Sequence, residues 1–225
     1  RQITLAELNV SQEKQYDGTD VVYNTNGESI LIKFVNDGVE VTARYTNAFK
    51  VNEDNVINFY ITDPNFTDGK FNKATNYYLP DSIVGRIVPK NVEINFGALS
   101  FIYNKANVYD HTYTGDKTWL VTGDTISANT GIFKFAVSGI CENENVNNCE
   151  ISDTFSIVRD GQQLRQNYKF VFIGTITVEA IQIKLTFNGY TNNQTQFNNT
   201  PQGVTYRVSA LSDKYEAAFN ENAED

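Results

Sequence analysis

Gly85-Arg86-Ile87-Val88-Pro89-Lys90-Asn91-Val92-Glu93-Ile94 is echoed 89 residues later by Gly174-Thr175-Ile176-Thr177-Val178-Glu179-Ala180-Ile181-Gln182-Ile183. Two other landmarks return in the same order. Gln15-Tyr16-Asp17-Gly18-Thr19-Asp20-Val21-Val22 has a weaker echo 87 residues on, in Ile102-Tyr103-Asn104-Lys105-Ala106-Asn107-Val108-Tyr109, and Asn76-Tyr77 returns after 91 residues as Asn167-Tyr168. Three landmarks recurring at nearly one interval indicate tandem repeats. The expected divisions are a first repeat over 1–90, a second over 91–179, and a segment 180–225 that either begins a third repeat or completes the second. The last strand of one repeat runs almost directly into the next, so an elongated, fairly stiff arrangement is expected.

The repeats read as all-β. Phe and Tyr number 15 and 13, Val, Ile and Thr are frequent, and Asn, Asp and Gly crowd the gaps between apolar runs. In Val39-Glu40-Val41-Thr42-Ala43-Arg44-Tyr45 strict alternation puts Val39, Val41, Ala43 and Tyr45 on one face, which should point at a core. Similar runs occur at Ile57 to Thr62, Phe133 to Val137, Tyr168 to Phe172 and Ile181 to Leu185. Asn36-Asp37-Gly38 separates Ile30 to Phe34 from Val39 to Tyr45, and Asp160-Gly161 follows Phe155 to Val158; both fit tight hairpin turns, because Asn, Asp and Gly tolerate positive φ. Many short strands at close spacing point to antiparallel sandwiches. Only Ser212 to Asp225 could hold a helical turn or two.

The order of strand, Tyr-Asp-Gly-Thr, strands, Asn-Tyr, Ile-x-Pro-Lys and next strand resembles the YDG and MBG families of bacterial repeat domains, found in secreted or surface-attached adhesins and haemagglutinin-like proteins. Tyr16-Asp17-Gly18-Thr19, Asn76-Tyr77 and Ile87-Val88-Pro89-Lys90 carry the likeness in the first repeat, and Val121-Thr122-Gly123-Asp124 in the second is similar to a Gly-Asp step mid-repeat. The likeness spans Ile3 to about Val178. It implies tandem Ig-like sandwiches, neighbouring repeats as partners, and an extracellular or cell-surface location. The second repeat departs from the pattern with Tyr103-Asn104-Lys105, so its turn needs a different backbone. The motif residues Tyr16, Asp17, Gly18, Thr19, Asn76, Tyr77, Tyr103, Asn104, Asn167 and Tyr168 are read as structural: Asp-Gly sets a turn, the Tyr ring covers a core edge, and Thr starts a strand.

A formal charge of −9 argues against nucleic acid or an anionic membrane as partner, since both demand a basic patch. No apolar run approaches the roughly 18 residues of a membrane span. With no methionine in the chain, Arg1 is expected to be an internal or processed position.

Cys141 and Cys149 flank a polar segment, Glu142 to Asn148, and are expected to form a disulfide worth about 2–3 kcal/mol, consistent with an oxidising compartment. C-x7-C is neither a zinc nor a thioredoxin spacing. His111 is the one histidine, no Gly-x-Ser-x-Gly elbow exists, and no catalytic residues are assigned. Asp and Asn oxygens at strand ends leave calcium as the only cofactor open, though no EF-hand loop is present. Trp119 and Tyr113 are candidate ligand contacts for a host glycan or protein.

The chain is therefore expected to be a non-enzymatic stalk or adhesive segment. Two alternatives are a module that binds glycan or host protein through loop aromatics, and a filament subunit assembled by strand exchange.

Overall fold

The computed structural model describes residues 1–34, 39–62, 77–128, 130–188 and 205–222. It is built mostly of strands with few helices. In chain order the strands are β1 (Glu13–Gln15), β2 (Leu31–Phe34), β3 (Val39–Tyr45), β4 (Asp54–Thr62), β5 (Ile83–Val88), β6 (Lys90–Ile102), β7 (Val108–Thr112) and β8 (Thr125–Ile126), followed by β9 (Ile132–Ala136), β10 (Cys141–Asn145), β11 (Glu150–Asp153), β12 (Ile157–Arg159), β13 (Gln162–Gln163), β14 (Tyr168–Glu179), β15 (Ile183–Asn188) and β16 (Thr205–Ala210). Two helices, α1 (Leu5–Leu8) and α2 (Asp213–Asn222), lie near the ends of the chain. Neither is long and apolar enough to cross a membrane.

The chain forms two compact units, one of residues 1–92, 114–131 and 155–171, the other of 93–113, 132–154 and 172–225. This division differs from the expected repeats at 1–90, 91–179 and 180–225. Its first cut, after residue 92, falls two residues past the first expected boundary, and residues 91–179 are divided between both units.

In the first unit a five-stranded sheet has the order β1-β5-β4-β3-β2. Alternation works as expected in β3: Val41, Ala43 and Tyr45 are buried while Arg44 faces solvent. Across β4, Ile57 and Phe59 share the buried side, and Val56 and Tyr60 face outward. The turn Asn36-Asp37-Gly38 lies outside the described residues, as does Asn76. Asp160 and Gly161, with φ of 50° and 79°, close a tight hairpin in which Arg159 pairs with Gln162.

The expected antiparallel scheme needs one correction, for β1 and β5 pair in parallel, with Glu13 opposite Arg86 and Gln15 opposite Val88. Turn residues report only on consecutive strands, and these two are the first and last strands of the sheet along the chain. The short helix α1 was not expected. Its capping box is nonetheless complete: the Thr4 hydroxyl accepts from the Glu7 N–H, and the Glu7 carboxylate accepts from the Thr4 N–H at 2.8 Å. α2 runs ten residues, longer than the turn or two expected.

The second unit holds three sheets, β10-β14-β6, β11-β9-β7 and the two-stranded β15-β16. Its core is aromatic. Phe133 and Phe135 are fully buried, and Phe96 packs edge-on against both at 5.1 and 5.0 Å. Phe172 stacks on Phe96 and meets Phe133 edge-on. Gly174 in β14 faces the β6 backbone so closely that a Cβ there would lie 2.7 Å from the Gly97 carbonyl oxygen. Only glycine permits that approach.

Phe135→Ala is expected to destabilise the protein by about 3–5 kcal/mol, seen as a lower urea midpoint at unchanged slope. A change below about 1 kcal/mol would show that the ring does not anchor this core.

Candidate functional site

The landmark residues meet in the first unit. Asp124 sits at the end of a turn closed by its own N–H on the Val121 carbonyl at 2.9 Å. Gly123, with φ of 95°, turns the chain so that the Asp124 side chain points inward, where it is completely buried. Tyr16 and Tyr168 both donate their phenolic protons to this carboxylate, Tyr16 at 3.0 Å. Arg159 Nε donates to the other oxygen at 2.6 Å. The Tyr168 oxygen in turn accepts the Val121 N–H at 3.0 Å, and the two phenol rings meet edge-on at 5.7 Å.

Arg159 does more than balance the charge. Its remaining nitrogens donate to the Gly18 carbonyl at 3.0 Å and the Thr122 carbonyl at 2.6 Å, and its guanidinium lies over Phe49. Gly18 has φ of 75°, and a Cβ on it would lie 2.5 Å from the guanidinium. The glycine of the Tyr-Asp-Gly-Thr motif is thus required twice, once by backbone conformation and once by space.

The motif's aspartate organises its own turn. Asp17 accepts from the Thr19 N–H at 2.9 Å, the Thr19 hydroxyl at 2.8 Å, the Tyr23 hydroxyl at 2.8 Å and Lys14 Nζ at 2.7 Å. Burial raises the affinity of Asp17 for a proton, but Lys14 and the Thr19 and Tyr23 donors outweigh it and hold the carboxyl below its ordinary value. Burial pushes the Lys14 ammonium down, against the pull of Asp17.

The phenols show the environment most clearly. Burial, then the bonds to Asp124, push Tyr16 and Tyr168 far above the ordinary value, and burial takes Tyr45 up to about 12. They remain protonated donors at any physiological pH. Three donors, the Tyr16 and Tyr168 hydroxyls and Arg159 Nε, therefore occupy the two Asp124 oxygens. An adjoining groove of about 400 Å³ is lined by Gln15, Tyr16, Asp17, Lys90, Leu120, Val121 and Thr122.

Asn167, fully buried, donates to the Phe49 carbonyl at 3.1 Å. Tyr103 and Asn104 are placed in the second unit and make a different turn. Asn104 donates to the Val108 carbonyl at 3.0 Å, and the left-handed residue is Asn107, φ 52°, in keeping with the departure noted at Asn104-Lys105. Tyr77 lies just before the β5 segment. Trp119 is packed edge-on against Tyr168, Phe170 and Phe155 at 5.4–6.1 Å, so its ring serves the core of the first unit. Tyr113, in the second unit, meets Phe133 edge-on at 6.0 Å.

The expected disulfide is replaced by two free thiols. The polar segment between them is a strand followed by a single 3₁₀ turn, Val146–Asn148, whose Val146 is fully buried. Cys141 opens β10 on β14, while Glu150, next to Cys149, opens β11 on β9. The Cys141 thiol donates to the Ile176 carbonyl at 3.6 Å, and burial pushes the Cys149 thiol up. Among the described residues no three His, Cys, Asp or Glu side chains gather as a metal would require.

Comparison with family models, curated proteins and solved structures gave no match. Arg159 is the member of the Asp124 cluster that sequence reasoning missed. A signal was present, since Arg159 falls on the same strand face as the buried Ile157, where a charge demands a partner.

Asp124→Asn is expected to destabilise the first unit by about 3–5 kcal/mol, because Arg159 is left buried without its counter-charge; Tyr168→Phe costs about 1–3 kcal/mol. Urea titration of single and double variants measures both, and additive losses would show that the two groups are not coupled.

Because the folded phenols are raised, their contribution to stability is complete below the unfolded value near 10 and is lost as pH climbs toward the folded values. In an absorbance titration Tyr16 and Tyr168 should ionise only with unfolding, after the exposed tyrosines. Smooth ionisation of all 13 tyrosines near pH 10 in the folded protein would contradict the cluster.

Proposed function

We propose that the chain is a non-enzymatic structural and adhesive repeat segment, a stalk or adhesin module, of a large bacterial surface or secreted protein. One observation carries this reading: the first strand of each expected repeat is tied to that repeat's last strand just where the landmark tyrosine stands. The Tyr16 N–H donates to the Val88 carbonyl at 2.8 Å, and the Tyr103 N–H donates to the Glu179 carbonyl at 2.9 Å. In the first repeat that pairing is parallel.

Parallel pairing of first and last strands suits a tension-bearing element. Force applied through the two chain ends acts along the strands, so the hydrogen bonds between them resist in shear together instead of opening one by one. The Asp124 cluster adds to this. It binds Tyr16 and Gly18 of the first expected repeat to Asp124, Arg159 and Tyr168 of the second, a tie that stiffens the passage from one to the next. Tandem Ig-like sandwiches and an extracellular location are part of the same proposal, supported by the likeness of Tyr16-Asp17-Gly18-Thr19 and Ile87-Val88-Pro89-Lys90 to adhesin repeats.

Single-molecule pulling from the two termini tests the reading. The chain should resist as a shear-loaded β protein, with Asp124→Asn unfolding at lower force. Extension at forces typical of helical proteins, or no effect of Asp124→Asn, would count against a mechanical role.

A further inference from the structure

Among the described residues, the antiparallel pair β15-β16 of the second unit has one apolar, exposed side. Its register sets Ile183 opposite Ala210, Leu185 opposite Val208 and Phe187 opposite Tyr206, so alternation gathers these six side chains on one side. The large ones are exposed, from 37% for Val208 to 64% for Tyr206. Lys184, Thr186, Arg207 and Ser209 occupy the other side. α2 packs against β16, yet the large apolar side chains of the pair stay exposed.

The 89-residue correspondence states what this face is for. Ile183 and Leu185 stand where Ile94 and Phe96 stand in β6. In β6 those positions are core: Ile94 is fully buried and Phe96 is enclosed by Phe133, Phe135 and Phe172. β15 therefore carries the inward pattern of a sandwich strand, on a two-stranded sheet too small to be stable by itself.

We propose that this face is a self-association surface, closed by the same face of a second copy of the chain. Each face offers roughly 500 Å² of apolar surface, in the range of the largest patch a monomer leaves open, a patch that is often functional, and a symmetric pair buries on the order of 1,000 Å², the lower bound for a specific interface. Charge fits as well. The apolar face itself carries no charged side chain, since Lys184 and Arg207 of the described strands stand on the other side, so two copies meet there without opposing like charges. Two such faces stacked about a two-fold axis give each sheet a second layer. The inference does not depend on the adhesive reading.

Sedimentation equilibrium of the whole chain from about 1 to about 300 µM tests it, with Leu185→Glu on the apolar face and Thr186→Glu on the opposite face. The wild type and Thr186→Glu should reach a defined dimer, whereas Leu185→Glu should raise the dissociation constant about tenfold or more. Val208→Lys serves as an independent second disruption, and near-ultraviolet circular dichroism checks that the aromatic cores persist. A wild type that stays monomeric throughout, equal weakening by Leu185→Glu and Thr186→Glu, or association that grows past the dimer would each overturn the proposal.

Discussion

A carboxylate cannot be buried unless something meets its charge and fills its oxygens, and the first unit is arranged around that requirement at Asp124. An isolated buried carboxylate would be forced to take up a proton or drag water inside. Here Arg159 supplies the counter-charge and two phenols supply the remaining donors. These partners come from β1's end, from β12 and from β14, so no one segment satisfies the site alone. Tyr16 reaches across 108 positions of sequence to make its bond. Such an arrangement is strongly cooperative: a partial set of partners is worse than an apolar core in its place, because each missing donor leaves a buried charge incompletely met.

The same requirement explains the distribution of residues between the units. Residues 114–131 and 155–171 follow the second landmark in the chain but belong with the first unit, because their polar side chains are consumed there. Repetition in sequence and compactness in space are different properties. Tyr16 and Tyr103 each donate a backbone proton to a later strand, to Val88 and to Glu179, though these two acceptors stand two positions apart in the 89-residue alignment. The repeat interval does not report what the tyrosine side chains do, and here they differ: the Tyr16 hydroxyl is bound to Asp124, while Tyr103 has no such carboxylate in its own turn.

What could be read from the residues divides along a physical line. Val39 to Tyr45 and the Asp160-Gly161 turn were legible because their signals are local, a period of two and a positive φ. Tyr16, Asp124 and Tyr168 were legible as landmarks but not as a cluster, since a buried polar contact between distant segments leaves no periodic trace. The parallel β1–β5 pair was hidden for the same reason. Cys141 and Cys149 were misjudged through the polarity of the residues between them: Glu142 to Asn145 is charged and amidic, yet it pairs on β14 as an edge strand, where such side chains face water. Thr4 and Glu7 stand at capping-box spacing, and α1 was overlooked only because it is so short.

Gly97 has a consequence that concerns timing along a strand. Up to that point in the second unit β6 buries even-numbered positions, Ile94 and Phe96; beyond it the inward residues are odd, with Leu99 buried and Phe101 against Tyr109 and Phe135. The left-handed backbone at Gly97, φ 64°, acts as a half-period phase shift. A continuous alternating rhythm through thirteen residues would have turned the far half of the strand inside out. β15, with Thr186 at the corresponding position, has no such shift, and its beat carries straight through to Phe187.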